Sequence, residues 1–131
     1  MDPRRIEPVA RRHGIELLVQ FGSTVAGQTH AQSDLDLGVL LDVVPESFGP
    51  LSDLIVDLQT LADGREVDLT VLNHADPLLL KQVTDHGRLL YGSERRFQAL
   101  KLQSFKRYQD YRRYLAMERA YVDRKSAGAA K

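Results

Sequence analysis

The apolar residues fall into short blocks whose period switches between helix-like and strand-like. Residues 2–14 open with a cap-competent Asp2, a proline at the first helical position and a glycine stop at Gly14. Between them Ile6, Val9, Ala10 and His13 share one helical face. Glu16 to Phe21 (ELLVQF) reads as a buried strand, closed by Gly22-Ser23, with a short helix expected through Thr24, Val25 and Ala26 to Gly27. A polar loop is expected over 28–33. Residues 34–41 (DLDLGVLL) alternate at first and then turn fully apolar, as a central strand would.

The second half continues the alternation of types. Residues 51–62 place Leu51, Leu54, Ile55, Leu58, Leu61 and Ala62 on one helical stripe, which Asp63-Gly64 closes. Residues 66–72 (EVDLTVL) read as a third strand. Asp76-Pro77 caps another helix that stops near Gly87, and residues 88–91 make a short last strand. From about 93 to 124 there is no glycine or proline, which predicts one long helix with a frayed end over 126–131. The order of elements predicts an α/β (α+β) mixed sheet, with helices mainly on one face and a long C-terminal helix. At 131 residues the chain is expected to be a single domain, 1–131.

Composition alters this picture little, but charge alters it more. There is no cysteine, which excludes disulfides and thiolate metal sites and fits a cytoplasmic location. No signal-peptide core and no apolar run near ~20 residues is present, so no membrane association is expected. The net charge of zero hides an asymmetry: residues 1–94 hold 7 Lys/Arg against 15 Asp/Glu, and residues 95–131 hold 11 against 3. A basic final helix either pairs with the acidic body or meets an anionic partner. The acidic body argues against direct nucleic-acid binding.

The candidate chemistry lies in five residues. Gly22-Ser23 sits between a strand and an expected helix N-terminus, where free N–H groups and a Cβ-free approach suit a phosphate. Asp34 and Asp36 are alternate residues of one strand, so both face one side, about 6.6–6.8 Å apart. Carboxylates at that separation can serve a Mg²⁺ pair about 3.5–4 Å apart. Asp68 joins them if the second and third strands are neighbours, and apolar residues flank all three acids. Carboxylates crowded in a core repel one another unless a divalent cation is present.

Gly22-Ser23, then ten residues, then Asp34-Leu-Asp36, with Asp68 on a later strand, resembles the signature of the polymerase-β-like nucleotidyltransferase superfamily. GSTVAGQTHAQSDLDLGVLL followed by REVDLTVL resembles its minimal nucleotidyltransferase (MNT) group, over nearly the whole chain. The resemblance implies that fold, with Gly22 and Ser23 holding the β- and γ-phosphates of ATP. It implies that Asp34 and Asp36 bind two Mg²⁺ ions, and that Asp68 binds the catalytic one and acts as base. Pyrophosphate would leave after in-line attack on the α-phosphorus. It further implies an antitoxin that transfers AMP to a tyrosine of a cognate HEPN ribonuclease toxin and forms a hetero-oligomer with it. Transfer to a small molecule or RNA end, and a non-catalytic binding antitoxin, are the alternatives. About sixty residues follow Asp68, too few for a complete acceptor site, so a partner is expected to bring the acceptor.

Other residues carry weaker signals. His13, His30, His74 and His86 lack metal-ligand spacing and read as structural or surface. Arg65, Lys81 and Arg88 could contact triphosphate, with nothing in the sequence to choose among them. Glu66 could support the acids. Tyr108, Tyr111, Tyr114 and Tyr121 interleave with basic residues, which on a helix more often marks a packing stripe than a nucleic-acid face.

Overall fold

A computed structural model describes residues 1–22 and 34–129; Ser23, the helix expected at 24–27, the loop at 28–33 and His30 lie outside them. Helix α1 spans Pro3–His13 and starts where expected, because the Asp2 side chain accepts from Arg4 N at 2.9 Å. Gly14, at φ +65°, turns the chain out of the helix. Strand β1 (Ile15–Phe21) follows, then β2 (Leu35–Leu41) and helix α2 (Phe48–Gln59). Strand β3 (Val67–Val71) leads through a 3₁₀ turn at Leu72–His74 into α3 (Pro77–His86), whose N-cap Asp76 accepts from Leu79 N at 2.9 Å. Strand β4 (Arg88–Tyr91) and helix α4 (Glu94–Ala129) complete the order, and α4 runs past the expected end at 124.

The four strands lie in the order β3-β2-β1-β4. β1 pairs antiparallel with β2 and with β4, whereas β2 and β3 are parallel. The sheet is therefore mixed, as expected. The helices, expected mainly on one face, divide between both. Ile6 and Ala10 of α1 and Leu54 and Leu58 of α2 pack on Leu18, Leu35, Leu37, Val39 and Leu41. On the other face Leu80 and Val83 of α3 and Phe97 and Leu100 of α4 pack on Leu17, Val19, Phe21 and Leu40. The cause lies in β1, where Leu17, Leu18 and Val19 are all apolar, so both faces of the strand need a cover.

The α2 stripe misplaced that helix by three residues. Leu61 and Ala62 are buried as the stripe requires, but they sit in the turn after the helix. Asn73 is a residue the sequence pattern passed over. The β2–β3 register, extended by two residues beyond Val39↔Val71, brings Asn73 opposite Leu41. There its side-chain amide substitutes for strand backbone, accepting from Leu41 N at 2.9 Å and donating to Leu41 O at 2.8 Å. Asn73→Ala leaves both groups of a buried residue unpaired and is expected to destabilise the fold by about 1–3 kcal/mol in chemical denaturation.

Candidate functional site

The strand register assembles the acids. Asp36 and Asp68 are direct partners across the parallel β2–β3 pair, and Asp34 lies two residues before Asp36. Neighbouring strands are about 4.8 Å apart, so side chains leaving the same face of this pair meet. Leu35, Leu37 and Val67, which flank them, point to the opposite face and are buried in the α1–α2 core. The carboxylates therefore sit at an open end of the sheet and not in the core: Asp34 and Asp68 are exposed, and Asp36 is half-buried.

Electrostatics confirms their closeness. Burial, the charges of Asp68 and Asp34, and a hydrogen bond with Asp68 all push the Asp36 carboxyl above its ordinary range, while the nearby Arg65 pulls it down. Gly22 completes the site from the next strand. Phe21 pairs with Asp36, and Gly22, at φ +81°, follows with its α-carbon against that carboxylate. A Cβ at this position would lie 2.2 Å from Asp36 Oδ2. Gly22→Ala is thus expected to displace the Asp36 carboxylate, with a loss of about 100-fold in nucleotidyl transfer and a folded protein by circular dichroism.

The remaining candidates separate clearly. Arg65 lies beside the cluster, with Nη2 donating to the backbone carbonyl of Asp34 at 3.3 Å. Lys81 is engaged between helices, paired with Asp85 and lying 5.0 Å from the centre of the Tyr108 ring. Arg88 is exposed on β4, opposite Gln20 on the far side of β1 from the acids. His13 ties α1 to α2 through a 2.6 Å contact with Asp57. Glu66 lies just before β3, exposed, with its carbonyl accepting from Leu35 N at 2.8 Å. Among the described residues, no three His, Asp or Glu side chains close on one ready-made cation position. Asp36 and Asp68 nonetheless form a touching pair of hard oxygen donors with Asp34 alongside, the donor chemistry that Mg²⁺ takes.

A family model described as polymerase beta, nucleotidyltransferase matches residues 4–96, which include β1, Gly22 and all three aspartates. The chain belongs to the polymerase-β nucleotidyltransferase family. A nucleotidyltransferase relative, the protein adenylyltransferase MntA of Shewanella oneidensis, is 28% identical over 95 residues, covering 72% of this chain and 67% of the relative. Two similar solved structures carry the same fold. One is a toxin–antitoxin with AMP-PNP, at TM-score 0.73 and 24% identity, covering 96% of this chain and 99% of that one. The other is a tri-AMPylated Shewanella oneidensis HEPN toxin in complex with MNT antitoxin, at TM-score 0.65 and 22% identity, covering 95% of both chains. No helix among the described residues is long and apolar enough to cross a membrane.

Proposed function

We propose that this chain is a cytoplasmic antitoxin that moves AMP from ATP to a tyrosine of a partner HEPN toxin and so silences it. The observation that carries the reading is the Asp36–Asp68 carboxyl pair, in register across two strands with Gly22 packed against it. The relative named a protein adenylyltransferase supports the reaction type, and the solved toxin complex supports the partner class. The chain would work as a single nucleotidyltransferase domain.

In this reading Asp34, Asp36 and Asp68 would hold two Mg²⁺ ions, which would supply charge neutralisation on the attacking and leaving oxygens. Gly22 and Ser23 bind the β- and γ-phosphates of ATP. Asp68 takes the proton from the acceptor hydroxyl as its oxygen attacks the α-phosphorus. The bond from the α-phosphorus to the bridging oxygen breaks, and pyrophosphate leaves with the electron pair. The acceptor comes from the partner, docked on the basic α4. Incubating the purified pair with α-labelled ATP and Mg²⁺ tests this. Label on a tyrosine of the HEPN protein is expected. Label only on an RNA end or small molecule, or toxin neutralisation without ATP, sinks it.

A further inference from the structure

Arg65 is held beside the Asp34 backbone, at the edge of the acid cluster, by a turn that leaves its backbone little freedom. Its N–H donates to Ala62 O at 3.0 Å, and the preceding Asp63 and Gly64 take left-handed φ values of +51° and +82°. The Gln59 side chain, at the end of α2, donates to the Arg65 carbonyl and accepts from Val67 N at 2.9 Å. One glutamine amide thus fastens both sides of the Arg65-Glu66 step. From this anchor the guanidinium reaches across to the entry of β2 and donates to the Asp34 carbonyl. The register that brings Asp34, Asp36 and Asp68 together thus places this positive charge beside three negative ones.

We propose that Arg65 is a positioning residue that serves as the resident counter-cation of the site, offsetting the repulsion among Asp34, Asp36 and Asp68 while no divalent ion is bound. The inference rests on reading these acids as a metal site. Its consequence follows from linkage: a cation that stabilises the empty carboxylates opposes a second cation to the same degree. Removing the charge therefore loosens the metal-free protein and tightens metal binding. A residue that only shaped the turn would give the opposite sign, since a disordered site binds metal less well.

The experiment measures Mn²⁺ binding by electron paramagnetic resonance, and thermal melting without metal, on the full chain. Arg65→Gln is expected to bind Mn²⁺ about 3–10-fold more tightly than the wild type and to melt at a lower temperature when metal-free. Arg65→Lys, which keeps the charge, is expected to restore wild-type Mn²⁺ affinity. Equal or weaker Mn²⁺ binding by Arg65→Gln overturns the proposal and leaves the metal site standing. A wild type that binds no Mn²⁺ overturns the site reading and this proposal together.

Discussion

Asp36→Asn is expected to cut AMP transfer severely and, at the same time, to make the metal-free protein more stable. The two effects have one cause. Asp36 is the innermost of three carboxylates, and burial and its neighbours already disfavour its charge. Its persistence in the sequence therefore costs stability that a neutral amide would recover. One like-charge contact about 4 Å apart in a water-like dielectric amounts to about 1 kcal/mol. That predicts a rise of about 2–5 °C in the metal-free melting temperature. The catalytic loss is far larger. Positioned metal ions supply several kcal/mol of transition-state stabilisation, so losing the proposed shared ligand is expected to lower transfer by about 10³-fold. Added Mg²⁺ should raise the wild-type melting temperature and leave that of the variant unchanged. A variant that still transfers AMP at near wild-type rates would sink the catalytic assignment. One that is inactive and still neutralises a toxin would assign the protein to inhibition by contact.

What could be read in the sequence, and what could not, follows from the range of the forces involved. The caps of α1 and α3 were legible because Asp2-Pro3 and Asp76-Pro77 act within a single turn. The meeting of Asp36 and Asp68 was legible too, given the period of two along a strand and one assumption of adjacency. Depth was not. Leucines beside Asp34 and Asp36 suggested buried acids, yet alternation sends those leucines to one face and the acids to an open end of the other. The division of helices between two faces depends on where each helix docks, which no local pattern specifies. Asn73 and Gln59 act through backbone groups far away in the chain or across a turn, so their residue types gave no sign of it. Choosing Arg65 over Lys81 and Arg88 required knowing that Lys81 is paired with Asp85 and that Arg88 lies across β1 from the acids.

The second large effect is expected at the far end of α4. The stripe that packs this helix on the body runs through Phe97, Leu100 and Ser104, all buried, to the half-buried Tyr108 and Tyr111. It then continues, at helical spacing, through Leu115 and Val122, which are 43% and 51% exposed. From Arg112 to Gly128 every residue is exposed. About 25 Å of helix thus leaves the body with its apolar face uncovered. An uncovered apolar stripe on an anchored helix is a candidate docking face for a partner. Residues 109–131 hold 6 Lys/Arg against 3 Asp/Glu, so side-by-side pairing of two such helices is disfavoured. An acidic surface on the proposed acceptor protein fits better. If the proposed HEPN partner covers this stripe, Leu115→Glu combined with Val122→Glu is expected to weaken its binding by about 100-fold, since two apolar contacts buried at an interface are worth about 3 kcal/mol. Melting should stay within about 0.5 kcal/mol of the wild type, because neither side chain is buried against the body. AMP transfer to the partner should fall with affinity and recover at high partner concentration, as a docking defect does and a catalytic one does not. Unchanged partner affinity, measured by calorimetry, would remove α4 from the interface and leave the carboxylate site to stand without it.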